Sequence, residues 1–292
     1  MTEALAIVAS IVVTGTIYAL LAFGYSLGNG VSGSFNFAHS AAFVVGAVAL
    51  SDLAATGRPL WLVVLGAIVA GALAGAVIDR AAMWPARVWP PGALGSNRTI
   101  VASVAALALS AALILRYSTP GRLPAIPPFH VGRFVVDEHM TLAAACLLTL
   151  IAAVLTLALT PLGTAIRAVA ANPTAARAAG VDVEWTITLG AFWSSKMAAI
   201  GGVATALSAH YFLAMPAVFA IALSALAAVA LGGLRSIPGT VVGAYAVAAA
   251  QTAWMLLLPR YGPNPGLAFI VILASFALLP RGLLSRRSLR AS

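Results

Sequence analysis

Charged residues are scarce in this sequence of 292 residues, and their scarcity indicates the class of protein. Asp, Glu, Lys and Arg together make up 8% of the chain, whereas a soluble globular domain carries about 25%. Hydrophobic residues make up 62%, and the mean hydropathy is +1.04. This balance excludes an ordinary soluble domain and predicts an integral membrane protein.

Residues suited to covalent or metal chemistry are equally sparse. Cys146 is the only cysteine and lies in an apolar run, so a disulfide framework is excluded. No His or Glu cluster has metal-ligand spacing, and no Ser with a nearby base is in a nucleophile setting. No Gly-Lys-Ser/Thr phosphate loop occurs either. We therefore predict neither an enzyme nor a metal site, and a nucleotide that drives this protein would have to bind a partner.

Apolar runs of about 20 residues divide the chain into candidate membrane-spanning helices. The N-terminus lacks a basic region and a clear cleavage site, so the first run is interpreted as a span and not as a signal peptide. Small residues four apart, such as Gly71 and Gly75, predict close packing between helices. The sequence predicts a single transmembrane domain over residues 1–292, an all-α bundle of eight or nine spans near 5–26, 38–55, 60–79, 99–116, 139–160, 185–207, 216–232, 238–258 and 265–280.

Arginine is distributed unevenly between the two ends of this bundle. Lys196 is the only lysine, so the net charge of +9 comes from Arg. Basic residues favour cytoplasmic loops, which predicts the N-terminus outside, the C-terminus inside and the proline-rich stretch 117–138 as an outer loop. With nine spans and residues 161–184 in the cytoplasm, ten arginines lie inside and five outside: Arg80, Arg87, Arg98, Arg167, Arg177, Arg235, Arg281, Arg286, Arg287 and Arg290 against Arg58, Arg116, Arg122, Arg133 and Arg260.

Residues 163–181, which lie between the fifth and sixth runs, are too polar to span a bilayer. They read GTAIRAVAANPTAARAAGV. Asn172-Pro173 is a good helix start, because Asn caps the first free N–H groups and Pro needs no N–H at the first helical position. Gly180 supplies a stop, and Arg177 lies in the last turn. We expect a helix of about two turns on one membrane face, either a docking element or an ordinary loop with helical propensity.

Two glycine-rich segments interrupt the apolar pattern. One is GYSLGNGVSGSFNFAH at 24–39 and the other is LGGLRSIPGTVVG at 231–243. Backbone without regular helix is tolerated at membrane depth only where protein or a water-filled cavity satisfies it, and paired interruptions point to a transport path. We interpret them as broken helices or gates, with interfacial turns as the alternative; the residues assigned this role are Gly30, Gly33, Gly232, Gly233, Pro238 and Gly239.

Few polar residues fall inside the predicted spans, and such residues normally face the bundle interior or an aqueous cavity. Tyr18, Asn36 and His39 cluster around the first glycine-rich segment, and Lys196 lies in the sixth span. These four are the candidate path residues, although Lys196 could instead extend its stem to the cytoplasmic interface. Asp52 is the only acid considered as a candidate for an ion relay, but it lies near an end of the second span and is interpreted as interfacial. An ion-coupled secondary transporter, which needs a buried acidic relay, is therefore the less favoured function.

Four boxes occur in order along this sequence. The first two are Gly15-Thr16-Ile17-Tyr18-Ala19-Leu20 and Asn36-Phe37-Ala38-His39. The third lies in the polar segment and consists of Gly163, Arg167, Ala168, Asn172, Ala176 and Gly180-Val181, and the fourth is Leu231-Gly232-Gly233-Leu234-Arg235-Ser236-Ile237-Pro238-Gly239. Together they resemble the boxes of the permease subunits of ABC importers for branched-chain amino acids, and the resemblance runs from the first span to Pro280-Arg281-Gly282.

The resemblance implies a complex in a bacterial inner membrane. Two permease subunits, identical or homologous, would form the path, two cytoplasmic ATPases would hold ATP and Mg²⁺, and an extracytoplasmic binding protein would deliver the solute. This chain would bind no cofactor itself. Family members usually carry an acidic residue between Ala170 and Ala175; its absence here leaves related permeases for urea, short amides or another small polar solute as alternatives. The segment 163–180 would be the coupling helix, with ATPase contacts at Ile166, Arg167, Asn172, Ala176, Arg177 and Gly180.

Overall fold

The computed structural model describes residues 3–33, 39–85, 138–209, 215–233, 236–261 and 266–278, with scattered residues between 101 and 136. Within these residues the chain is a helical bundle with one short two-stranded hairpin. A π-helical turn, Asp79–Met83, extends α3, and a 3₁₀ turn, Pro259–Tyr261, follows α9. The helices are α1 (Glu3–Ser32), α2 (His39–Ala54), α3 (Leu60–Ile78), α4 (Glu138–Leu159), α5 (Pro161–Ala171), α6 (Pro173–Ala178), α7 (Val183–Ala209), α8 (Met215–Gly232), α9 (Ile237–Leu257) and α10 (Gly266–Leu278).

Eight of these helices coincide with predicted spans, which confirms the predicted all-α membrane bundle. By length and composition, four described segments could cross a membrane: Ile7–Ser32, Leu60–Met83, Glu138–Leu159 and Ile237–Leu257. α2 and the apolar parts of α8 and α10 are shorter, and α7 is long at 27 residues but more polar. The span predicted at 99–116 lies almost wholly outside the described residues, so the choice between eight and nine spans stays a prediction.

The stretch predicted as an outer loop contains the hairpin. Strands β1 (Phe129–Val131) and β2 (Phe134–Val136) pair antiparallel, with Phe129 opposite Val136. The Glu138 carboxylate accepts a hydrogen bond from the backbone N–H of Ile126 at 3.1 Å. This bond ties the loop to the first turn of α4.

Helix α1 lies at the centre of the described bundle. It packs against α4, α7, α8 and α9, and its residues 15–27 are all buried. Ala19, Leu20 and Ala22 have no exposed surface. Because lipid tails are as apolar as these side chains, close packing and polar contacts hold such helices together in a membrane.

Glycine brings α2, α3 and α7 into backbone contact. A Cβ atom at Gly71 of α3 would lie 2.5 Å from the Ala199 Cβ of α7 and 2.8 Å from the Ala42 carbonyl oxygen of α2. A Cβ atom at Gly46 of α2 would lie 2.8 Å from the Ala199 carbonyl oxygen. The small residues predicted to allow close packing therefore do so at this three-helix contact.

Candidate functional site

The polar segment between α4 and α7 forms two short helices, α5 and α6. Asn172 both ends α5 and caps α6, because its Oδ1 accepts the Ala175 N–H at 3.0 Å. Gly180 has a φ of +85°, the left-handed conformation that favours glycine after a helix. The helix predicted from Asn172-Pro173 to Gly180 is therefore present as α6.

The sequence analysis did not predict α5, although this helix begins, like α6, with a capping side chain followed by proline. Thr160 Oγ1 accepts the Gly163 N–H at 3.1 Å, and Pro161 follows in the first turn. A Cβ atom at Gly163 would overlap the Leu157 backbone of α4, so α5 folds tightly against the end of that helix. The Thr160-Pro161 pair repeats the pattern of Asn172-Pro173 and was the signal that could have revealed this helix.

The α5–α6 segment has a buried side and an exposed side. Ile166 and Ala176, both expected to contact an ATPase, face the bundle with 3% and 4% of their surface exposed. Arg167, Asn172, Arg177 and Gly180 are exposed. The six predicted coupling residues thus divide into two anchors and four surface positions.

The exposed side carries two cations and an aromatic ring. Arg167 Nη2 donates to Thr164 Oγ1 at 3.1 Å, and Arg177 lies 3.8 Å from the Glu184 carboxylate, in an exposed and weak ion pair. Trp185 is 60% exposed in the first turn of α7. A surface with Arg and Trp side chains available is typical of a protein contact.

A groove around Tyr18 lies at the opposite end of the bundle from the α5–α6 segment. It is formed by the first half of α1, the start of α4, the end of α7 and part of α8, and its volume is about 500 Å³. We call it the Tyr18 groove. Its polar lining residues are Ser10, Thr14, Tyr18, His139, Thr205 and Ser208.

Tyr18 also connects three helices through hydrogen bonds. Its hydroxyl donates to Gln251 Oε1 of α9 at 2.7 Å, and Gln251 Nε2 donates to Ser224 Oγ of α8 at 2.8 Å. A second cavity of about 200 Å³ lies on the α9 side and shares Tyr18 with the groove. Tyr18 therefore forms part of the wall between the two spaces.

His39 lies in a separate, polar cavity nearer the α5–α6 end. Ser194 Oγ donates to the Gly24 carbonyl at 2.9 Å and lies within hydrogen-bond distance, 3.0 Å, of His39 Nδ1. His39 Nε2 has no hydrogen-bond partner among the described residues. This cavity, of about 20 Å³, has room for roughly one water molecule. Tyr25 packs edge-on against the His39 ring at 4.9 Å.

The structure does not bring Lys196 together with Tyr18 or His39. Lys196 is half-buried in the middle of α7, and its Nζ lies 4.6 Å from the centroid of the Trp193 ring. Neither the Tyr18 groove nor the His39 cavity includes it. Asn36, the fourth candidate path residue, lies outside the described residues.

The comparison with known proteins settles the family. A family model described as branched-chain amino acid transport system / permease component matches residues 7–278. The chain belongs to this family. The high-affinity branched-chain amino acid transport system permease protein LivH of Escherichia coli K12 is 27% identical over 301 residues, covering 94% of this chain and 93% of LivH. LivH of Salmonella typhimurium is 26% identical over 298 residues with the same coverage, and no solved structure matches.

In this permease the first glycine-rich segment is helical for longer than predicted. α1 continues through Gly24 and Gly30, so the assignment of Gly30 to a broken helix is wrong. The helix ends at Ser32, and Gly33 follows with a φ of +68°. A Cβ atom at Gly24 would overlap the His39 ring. Close packing, not a break, accounts for glycine at position 24.

The second glycine-rich segment is a turn between two complete helices. α8 ends at Gly232, Gly233 has a φ of +101°, and Ser236 caps α9 by accepting the Gly239 N–H at 3.2 Å. A Cβ atom at Gly232 would overlap the Gly239 carbonyl, so these glycines let α8 and α9 cross closely. Pro238 lies in the first turn of α9, where its missing N–H needs no partner.

Three buried or bridging polar residues were not identified from the sequence. Gln251 and Ser224 contact each other inside Ala-rich helices, where an isolated Gln was the available signal. Asp79 is 3% exposed, lies in the π-helical turn and borders the His39 cavity. Asp52, interpreted from the sequence as interfacial, is exposed near the end of α2, whereas the buried acid Asp79 was not singled out. Among the described residues, no group of three or more His, Cys, Asp or Glu side chains could hold a metal ion.

Proposed function

We propose that this chain is the membrane-spanning subunit of an ATP-driven importer for branched-chain amino acids in a bacterial inner membrane. Membership of the permease family supports transport, and the relatives' names supply the substrate class. ATP hydrolysis belongs to two partner subunits, which hold ATP and Mg²⁺. The observation that carries the proposal is the position of the α5–α6 segment in the chain.

The α5–α6 segment joins α4 to α7, and the far ends of these two helices line the Tyr18 groove. His139 and Met140 begin α4, while Thr205 and Ser208 lie near the end of α7. A partner that moves the segment therefore moves two walls of the groove. Ile166 and Val169 are 3% and 1% exposed, so their packing would transmit that movement into the bundle.

The proposed orientation places the α5–α6 segment in the cytoplasm and the N-terminus outside. The Tyr18 groove then lies in the outer half of the membrane, where a binding protein would deliver the solute to two permease subunits. The His39 cavity lies in the inner half and is closed around a space of about 20 Å³. In this orientation the wider space lies in the outer half of the membrane and the narrower one in the inner half.

Charge reversal at Arg167 tests the coupling role. Because Arg167 is exposed on the segment, Arg167→Glu should weaken co-purification with the ATPase subunits and reduce leucine uptake, while protein abundance stays unchanged. Arg260→Glu is the matched control, because Arg260 is also exposed but lies at the opposite end of the bundle. Unchanged uptake and co-purification in Arg167→Glu, or equal losses in both variants, would contradict docking at this segment.

Two alternative functions can be distinguished from this proposal by experiment. A related ABC permease for urea, short amides or another small polar solute would show ATPase-dependent uptake that leucine does not compete for. An ion-coupled transporter is favoured by one observation, the buried Asp79 beside the His39 cavity. In that case Asp79→Asn would abolish uptake, and uptake would persist without the ATPases but stop when the proton gradient is dissipated.

A further inference from the structure

Three of the five hydroxyl groups that line the Tyr18 groove, those of Tyr18, Thr205 and Ser208, donate their protons within the protein. Thr205 Oγ1 donates to the Gly201 carbonyl at 2.7 Å, and Ser208 Oγ donates to the Ala204 carbonyl at 2.8 Å. Tyr18 donates to Gln251. A hydroxyl group has one proton and two lone pairs. These three groups therefore offer the groove acceptors and no donors.

The charge of the lining agrees with this hydrogen-bonding pattern. No Asp, Glu, Lys or Arg is among the described residues that line the groove, and His139 lies at its exposed rim. An anionic solute would gain no hydrogen bond from these three oxygens in exchange for its lost hydration. A solute with N–H donors would exchange water for oxygen acceptors. The apolar part of the lining includes Ile17, Met140 and Ile221.

We infer that the Tyr18 groove is a weak solute site that binds the ammonium or amide N–H end of a small neutral solute. The N–H groups contact the oxygens of Tyr18, Thr205 and Ser208, and an aliphatic side chain packs against the apolar lining residues. A carboxylate, where the solute has one, lies toward the rim near His139. The volume of about 500 Å³ is within the range of about 300–1,000 Å³ for small-molecule sites. The inference rests on the proposed transport function.

A cysteine probe at Ala209 tests binding without relying on transport. Ala209 lines the groove, and the native Cys146 is 3% exposed and is replaced by Ser for labelling. In membranes that hold the whole transporter, L-leucine should slow maleimide labelling of Ala209→Cys. The keto acid of leucine, which has a carbonyl in place of the ammonium, should not. Thr56→Cys is the control, because Thr56 is exposed outside the groove.

Thr205→Val separates the proposed contact from a general packing effect, since it removes the lone pairs and keeps the shape. It should raise the leucine concentration needed for protection about tenfold, as expected for one lost hydrogen bond to a charged group. Thr188→Val is the matched control: Thr188 Oγ1 donates to the Glu184 carbonyl on the same helix, away from the groove. Its protection curve should match that of the unaltered protein.

The outcomes distinguish the site from the transport function. The site would be overturned if leucine and its keto acid protected Ala209→Cys equally, or if neither protected it. It would also be overturned if no reagent reached Ala209→Cys because a partner covers it. If leucine uptake persists in the same preparation, the proposed function survives that result. Protection by leucine in a preparation whose uptake is independent of the ATPases would support the site and contradict the proposed function.

Discussion

Three glycines on α1 allow an experiment to decide whether glycine is needed there for close packing or for flexibility of the helix. A Cβ atom at Gly24 would overlap the His39 ring and lie 2.9 Å from the Ser194 carbonyl oxygen. A Cβ atom at Gly28 would lie 3.5 Å from Ser194 Oγ, an ordinary contact, and one at Gly30 would have no neighbour within 4 Å. Substituting each glycine by Ala therefore adds the same methyl group at three positions that differ in the distance from the new Cβ atom to its nearest neighbour.

The expected free energies follow from two opposing effects. Replacing Gly by Ala inside a helix stabilises it by roughly 0.8–1.0 kcal/mol. Overpacking at a tight contact costs roughly 1–3 kcal/mol. Gly30→Ala should therefore stabilise the protein slightly, and Gly24→Ala should be about 1–3 kcal/mol less stable than Gly30→Ala, because the helix effect cancels in the difference. Gly28→Ala should resemble Gly30→Ala.

The measurement is the free energy of unfolding of each purified variant, titrated from a mild detergent into sodium dodecyl sulfate. Uptake of leucine by the same variants shows whether a flexible α1 is needed. If Gly30→Ala loses stability or uptake as severely as Gly24→Ala, then α1 acts as a broken helix at this point. That result would refute the packing explanation.

Two further predictions concern the polar segment and Lys196. Asn172→Ala removes the cap of α6 and should destabilise that helix by about 0.5–2 kcal/mol. We expect faster proteolysis near residue 172 and reduced co-purification with the ATPases. Unchanged proteolysis would contradict the capping role. Lys196→Met should leave leucine uptake nearly unchanged, because Lys196 contacts Trp193 and not the Tyr18 groove. Loss of uptake with normal protein abundance would return Lys196 to the path.

Helix ends were more predictable than the residues that line cavities. Asn172-Pro173 and Gly180 marked α6 because caps act on backbone groups only a few residues away. The same local rule, applied to Thr160-Pro161, would have found α5. By contrast, Gly24 and Gly30 look alike in sequence, but only at Gly24 would an added Cβ atom meet another helix.

The sequence by itself determined the membrane class, the family resemblance, the positions of eight described spans and the polar segment between the fifth and sixth predicted spans. These properties depend on composition and on neighbours along the chain. The tertiary structure decided that Tyr18 pairs with Gln251, that His39 meets Ser194, and that Asp79, not Asp52, is buried. Residues more than a hundred positions apart meet only when helices pack, and the rotation of each helix, which sequence periodicity defines poorly in an apolar chain, selects the side chains that face the interior.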